Sequence, residues 1–415
     1  MINVVHISKW ASQGGASRAM QRLHKGLIKE KITSSIYSID GDDTLSHQVR
    51  FIPDRSSISK IRRHYWNRSI KNDVSPYSEQ KNYREPFTHV RTQYRDDLLS
   101  QLPKADVYNL HWISNFIDIP SFFENIDKPV VWTLHDMNPF TGGCHYDNFC
   151  GKYEVNCGAC PQLGSNKLND LSKKIFEEKR AAISKISPEK LRIVTPSNWL
   201  AEEARKSKIF SGHKIQVIHN SLDHNLFKPR NKNYMRTIFE IPESKKVVLF
   251  GAFGINNRRK GYKELLESLF ILNEKRSDVL LLSFGHGNAG TVPFKNYRHL
   301  GSINDDLFLS MIYNLADVFV MPSLQENLGQ TCLEALSCGV PCVAFDTGGN
   351  SDMVINGETG YLASAFRPDS LSTAIEQALM NSVETGKNGR KLVETKFTLK
   401  HQAENYIQLY RDLLK

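Results

Sequence analysis

Apolar positions in this chain come in short runs that alternate with helical spacings. Asn3–Ser8 is strand-like and leads into Gln13-Gly14-Gly15-Ala16-Ser17, after which Ala19, Leu23, Leu27 and Ile28 recur mostly at four-residue intervals. Strand, glycine turn and helix make a β-α unit, the building block of a parallel sheet. Further strand candidates are Val107–Leu110, Val130–Leu134, Ile193–Thr195 and Ile215–Ile218. From Asp223 to Lys246 the chain is polar, carries Pro229 and Pro242, and reads as a linker. The pattern then restarts with Val247–Phe250, a helix over Gly261–Leu272, strands Val279–Phe284, Val318–Met321 and Pro341–Phe345, and helices Glu326–Ser337 and Leu371–Asn381. The expected fold is α/β: two doubly wound domains, 1–222 and 223–393, facing each other across a cleft. A last helix over 394–415 is expected to pack back on the first domain. In open parallel sheets ligands bind at the carboxyl ends of the strands, so chemistry is sought there.

Length and composition agree with two globular domains: 415 residues, 40% hydrophobic and 24% charged. The net charge of +10 favours anionic partners. Seven cysteines, an odd number, argue against a fully disulfide-paired secreted protein. The first residues lack the basic region and longer apolar stretch of a signal peptide, and no run approaches the roughly 18 apolar residues of a membrane span. The expectation is a cytoplasmic protein, soluble or peripheral on the inner face of the cytoplasmic membrane.

The most informative segment is Pro322-Ser323-Leu324-Gln325-Glu326-Asn327-Leu328-Gly329-Gln330-Thr331-Cys332-Leu333-Glu334-Ala335. It follows a strand and opens a helix, so amides near Leu328–Thr331 can cradle an anion. Glu326 and Glu334 are eight apart, which suits two contacts on one extended ligand better than a single acid–base pair. Carboxylates accept hydroxyl hydrogen bonds, the usual way to hold a sugar ring.

This segment resembles the E-x7-E signature of retaining GT-B glycosyltransferases, in particular the family 4 grouping. The likeness continues through Ala335, Gly339, Pro341-Cys342-Val343-Ala344, Thr347-Gly348-Gly349 and Asn356-Gly357-Glu358-Thr359-Gly360-Tyr361-Leu362. Upstream, Asn220, Asp223, Phe227 and Pro229 resemble the family's N-G-x-D-x-x-x-F-x-P junction, with Ser221 in place of its glycine. The resemblance implies that Glu334 binds the nucleotide ribose and Glu326 the donor-sugar hydroxyls. Asn327, Leu328, Gly329, Gln330 and Thr331 would hold the pyrophosphate. Arg259-Lys260-Gly261 resembles the family's basic element, two cations that would offset the charge growing on the leaving group. The family often has arginine directly after the strand glycine, where this chain has Gly251-Ala252, so Arg258 and Arg259 compete for that role. Gly285 and Gly287 suit either a close backbone approach to the nucleotide or an ordinary tight turn. Gly14 and Gly15 resemble the loop that approaches the donor phosphates, His135 the histidine near the donor sugar, and His111 falls on the acceptor side.

The implied reaction moves a sugar, with retention, from a nucleotide diphosphate donor (UDP or GDP) to a saccharide or lipid-linked acceptor, in bacterial surface polysaccharide synthesis. No catalytic metal is expected, because no D-x-D pair stands out and the cations and helix amides can serve. Cys144, Cys150, Cys157 and Cys160, spaced C-x5-C-x6-C-x2-C among glycines, suggest a closed structural Zn²⁺ site, with two disulfides or free thiols as alternatives. Similar cysteine-bearing segments occur in a colanic-acid-type subgroup of the family. Cys332, Cys338 and Cys342 read as small buried residues. Arg55, Lys60, Arg62, Arg63, Arg68 and Lys71 interleave with Ile58, Ile61, Tyr65, Trp66 and Ile70. That stretch reads as a basic amphipathic helix for an anionic membrane, or as a solvated helix whose aromatic face packs inward; no nucleic-acid module accompanies it. Two other readings remain: a nucleotide-sugar epimerase or hydrolase on the same fold, and a non-catalytic, zinc-stabilised membrane scaffold.

Overall fold

The computed structural model describes residues 2–40, 47–77, 85–287, 294 and 296–415. It divides into two compact units: Met1–His219 with Gln402–Lys415, and Asn220–His401. The first boundary falls at the asparagine that opens the expected junction.

Unit 1 carries strands β1 (Asn3–Ile7), β2 (Thr33–Ser38), β3 (Gln48–Arg50), β4 (Val107–Leu110), β5 (Val130–Thr133), β6 (Leu191–Thr195) and β7 (Lys214–Val217). They form one parallel sheet in the order β3-β2-β1-β4-β5-β6-β7. β4 and β5 are buried along their whole length, as expected of a parallel sheet covered on both faces. β2, TSSIYS, was not expected; its polar residues hide a strand that pairing with β1 makes regular. The C-terminal helix Leu399–Leu413 sends Tyr406 and Tyr410 onto this sheet beside Val4, Val107, Val131 and Val194. Tyr410 Oη donates to Asn109 Oδ1 at 2.6 Å, and Tyr406 Oη lies 2.9 Å from Thr133 Oγ1. The tail therefore covers the centre of the sheet and satisfies its polar groups.

Unit 2 carries β8 (Lys246–Gly254), β9 (Val279–His286), β10 (Tyr297–His299), β11 (Val318–Met321), β12 (Cys342–Phe345) and β13 (Gly360–Ala363). Their order, β10-β9-β8-β11-β12-β13, is again parallel and repeats the order of the first six strands of unit 1. Both units are thus Rossmann-like, and strand order reverses between β1 and β4 in one and between β8 and β11 in the other. Within the expected linker lies a helix, Lys232–Ile238, tied down by charge. Its Arg236 donates to Asp317 Oδ2 at 2.6 Å and to the Leu315 carbonyl at 2.9 Å, while Asp317 also accepts from the Val247 amide at 2.7 Å.

The basic stretch forms the helix Ser57–Val74, in which Ser59 alone is buried. Ile58, Ile61 and Tyr65 are exposed. Trp66 turns towards the unit, donating to Asp96 Oδ2 at 3.4 Å under the Arg95 guanidinium, Val74 packs against the core and Arg63 pairs with Asp97. Among the described residues no helix is long and apolar enough to cross a membrane.

Candidate active site

In unit 2 the loops after β8 and β11 meet at the point where strand order reverses. Leu324 donates its amide to the Arg259 carbonyl at 2.7 Å. Gly261 permits this contact: it has φ +70°, and a Cβ there would lie 1.7 Å from the Pro322 carbonyl oxygen. The pairing brings a turn of three cationic residues, Arg258–Lys260, against the Gln325–Glu326 loop. Lys260 Nζ donates to Glu326 Oε2 at 2.5 Å, and Arg259 Nη1 donates to the same oxygen at 3.2 Å and to the Gln325 carbonyl at 2.8 Å. Burial pushes the Glu326 carboxyl up, but Lys260 and Arg259 override it and hold it at about 2. Arg258 turns away, forking onto Glu264 at 2.8 and 2.5 Å. Of the two competing arginines, Arg259 faces the loop.

The helix expected from Glu326 starts four residues later, spanning Gln330–Ser337. The Thr347-Gly348-Gly349 loop is the reason: Gly349 donates to the Glu326 carbonyl at 2.9 Å, and a Cβ on Gly348 would lie 2.0 Å from that oxygen. Glu326 is thereby held outside the helix and Asn327 buried beside it. Leu328 belongs to the core, and a Cβ on Gly329 would lie 2.1 Å from Met321 Sδ. Gln330 and Thr331 open the helix, which has no side-chain cap, leaving its positive end to the loop. Glu334 faces the interior and accepts from Tyr313 Oη at 3.0 Å. The close approach allowed by Gly285, φ +130°, is to β8: a Cβ there would lie 1.8 Å from the Ala252 carbonyl oxygen. Gly287 likewise turns against Ile255 and Asn256.

In unit 1, Gly14, φ +83°, and Gly15 open the helix Gly14–Lys29, which has neither a side-chain cap nor an acidic residue in its first turn. No atom lies within 4 Å of a Cβ built on either glycine, so packing does not require them. Across unit 1's own strand reversal, between β1 and β4, three histidines form a chain. His6 Nδ1 lies 3.0 Å from His111 Nε2, and His111 Nδ1 lies 3.0 Å from His135 Nε2. His111, expected on the acceptor side, is only 3% exposed: its ring is closed between two others, and His135 is the one that reaches the surface of the unit. His6 was missed, although Val4-x-His6, Val107-x-Asn109-x-His111 and Val131-x-Thr133-x-His135 share one alternating pattern.

Residues 231–394 match the sequence model of the family "Glycosyl transferases group 1". The likeness to that family is confined to this segment, about two fifths of the chain. Among curated proteins the chain is 28% identical over 244 residues to "Spore coat protein SA" of Bacillus subtilis, covering 53% of this chain and 64% of that protein. It is 21% identical to "Putative colanic acid biosynthesis glycosyl transferase WcaC" of Escherichia coli over 365 residues, 83% of each. The first curated relatives are spanned only in part, to 64%, 52% and 54% of their lengths. Among solved structures, HepE of Anabaena in complex with UDP and glucose aligns with a TM-score of 0.66 at 15% identity, covering 99% of this chain and 100% of that one. That likeness shows the fold, two Rossmann-like units of GT-B type.

Arg259, Lys260, Glu326 and Glu334 all lie inside the matched segment 231–394, and the cysteine loop lies outside it. Cys144, Cys150, Cys157 and Cys160 carry free thiols and line one small cavity of about 10 Å³, with Phe87 and Tyr153 among its walls. Among the described residues no three His, Cys, Asp or Glu side chains stand in positions to hold a metal ion. Lys179, 1% exposed, donates to the Asn138 and Thr141 carbonyls beside this loop. Burial lowers its ammonium to about 8, against the pull of Cys144, Cys157 and Asp136. His145 lies between Thr88 Oγ1 at 2.7 Å and Asp136 Oδ2 at 2.6 Å. This has the order of a hydrolytic triad, but Thr88 and His145 are buried, so it pins the loop to the end of β5 instead. Cys332, Cys338 and Cys342 are core residues, as expected.

Proposed function

We propose that the protein transfers a sugar, with retention, from a nucleotide diphosphate sugar to a hydroxyl of a saccharide or lipid-linked acceptor in surface polysaccharide synthesis. The observation that carries this is the convergence of Lys260 and Arg259 on Glu326 at the strand reversal of unit 2. Two fixed cations beside an uncapped helix start suit a diphosphate whose charge grows as the sugar leaves, and a carboxylate between them suits sugar hydroxyls. UDP and glucose in HepE support a uridine donor within the UDP-or-GDP expectation, and the colanic-acid relative supports the pathway class. Glu334 would take the ribose and His135 a sugar hydroxyl. The donor phosphate would receive the acceptor proton in a same-face displacement, and no step is routed through a metal ion. The test is a panel of nucleotide sugars with Lys260→Ala and Glu326→Ala: both should abolish transfer with folding intact. Wild-type turnover in either overturns the reading, and nucleotide release without acceptor would favour a hydrolase.

Two subsidiary proposals follow from features outside unit 2. For the cysteine loop the reading is one structural Zn²⁺ on Cys144, Cys150, Cys157 and Cys160, which requires the thiols to draw together from the positions described. The shared cavity supports it, as does the buried Lys179 ammonium, which would offset thiolate charge. Metal analysis should find about one zinc per chain; a folded, zinc-free protein removes the proposal. The exposed Ile58, Ile61 and Tyr65, flanked on the helix by Arg62 and Arg68, suit a peripheral contact with anionic lipid. Co-sedimentation with phosphatidylserine vesicles should fall on Ile61→Glu, and equal binding to neutral vesicles counts against it.

A further inference from the structure

The three-histidine chain of unit 1 has no assigned role beyond that of its last member. Alternation along the strands creates it. Val4, Val107 and Val131 place the odd or even face of β1, β4 and β5 on one side of the sheet, under Tyr406 and Tyr410. Two residues on, each strand turns polar on that face, with His6, Asn109 and Thr133, and two further on come His111 and His135. Asn109 Nδ2 donates to Thr133 Oγ1 at 2.9 Å, so the polar layer beneath the histidines is itself fixed. His111 and His135 stack with 24° between their ring planes, and His6 tilts 45° from His111.

Hydrogen-bond bookkeeping then decides where the protons are. Burial lowers all three imidazoles, with the neighbouring His24 and His6 adding to the effect and Asp136 opposing it at His135, which sits at about 4. Each ring is therefore neutral near pH 7 and carries one proton. Two arrangements satisfy both 3.0 Å contacts. In one, protons point from His6 towards His135. In the other they point back, which puts an N–H on His6 Nε2, an atom that is fully buried and has no hydrogen-bond partner among the described residues. A buried donor without an acceptor is the costlier fault, so the first arrangement prevails.

We propose that His6 and His111 are positioning residues that hold His135 as the Nδ1–H tautomer, with Nε2 accepting from His111. His6 Nδ1–H donates to His111 Nε2, and His111 Nδ1–H donates to His135 Nε2. A neutral imidazole in water prefers the opposite tautomer, with its proton on Nε2, so the chain imposes a state that His135 would not otherwise adopt. Its use on a sugar hydroxyl rests on the function proposed above; the tautomer itself does not. The experiment is ¹⁵N NMR of the imidazoles in ¹⁵N-histidine-labelled full-length protein at neutral pH, with the His135 signals assigned by their loss in His135→Asn. The wild type should show His135 protonated on Nδ1. His111→Phe should move it towards Nε2–H, and His111→Gln, whose amide can still donate, should restore Nδ1–H. A wild-type His135 protonated on Nε2, or a His111→Phe protein with His135 unchanged, overturns the proposal. Because the wild-type spectrum needs no variant to fold and no donor to bind, it separates failure here from failure of the glycosyltransferase reading. Where that reading holds, His111→Phe lowers kcat about tenfold or more with little change in the donor KM.

Discussion

Replacing Lys260 with methionine tests the charge cluster directly. Lys260 and Arg259 converge on one oxygen of Glu326 at 2.5 and 3.2 Å, with the three side chains only 24%, 13% and 10% exposed. Burial alone would raise the carboxyl from its ordinary 4.5, yet it sits at about 2, so the cations more than offset desolvation. Lowering a carboxyl that far corresponds to about 3 kcal/mol, at about 1.4 kcal/mol per tenfold. Because the folded value is depressed, this stability is fully present above pH 4.5 and drains away as pH falls towards 2. The nearer cation should carry the larger part, so Lys260 and Glu326 should couple by about 1–2 kcal/mol at pH 7. Urea unfolding of wild type, Lys260→Met, Glu326→Gln and the double variant, read by circular dichroism, measures it. All five tryptophans precede residue 200, so fluorescence reports unit 1 and should stay put while the dichroism transition moves. Additivity of the two substitutions within about 0.5 kcal/mol would show that Glu326 is not held by Lys260, and the argument would fail.

Other consequences are more local. Gly261→Ala places a Cβ at φ +70° against the Pro322 carbonyl, so melting should show unit 2 weakened by about 2 kcal/mol or more, with weaker UDP binding by calorimetry. Arg259→Ala should weaken UDP binding about tenfold or more while Arg258→Ala, which frees only Glu264, leaves it within about twofold; equal losses would refute the assignment. Tyr410→Phe strands the Asn109 carbonyl and should lower unit 1 stability by about 1–3 kcal/mol in fluorescence-monitored urea unfolding. Arg236→Met leaves Asp317 buried with Lys232 as its remaining cation, and unit 2 should lose about 3–5 kcal/mol by dichroism-monitored unfolding.

What was legible in the chain was local. Val107–Leu110 and Val318–Met321 are strands to the residue, because an apolar run between polar turns has few other homes. The Glu326 loop could be found because a strand, a loop and a helix follow each other without interruption. Helix onset at Gln330 and not Glu326 was not legible, since the loop at Gly348-Gly349, over twenty positions away, occupies the Glu326 backbone. Which of Arg258 and Arg259 faces the Glu326 loop was likewise decided by which acceptor lay within reach. Sequence by itself determined the two alternating β/α series, their polar strand ends and the residue types waiting there. Only the tertiary structure decided which of those ends meet. A parallel sheet lays side by side strands that a crossover separates in the chain, so His6 joins His111 across 105 positions and His111 joins His135 across 24. Their shared proton chain is a property of that adjacency and of burial, neither of which any one segment contains.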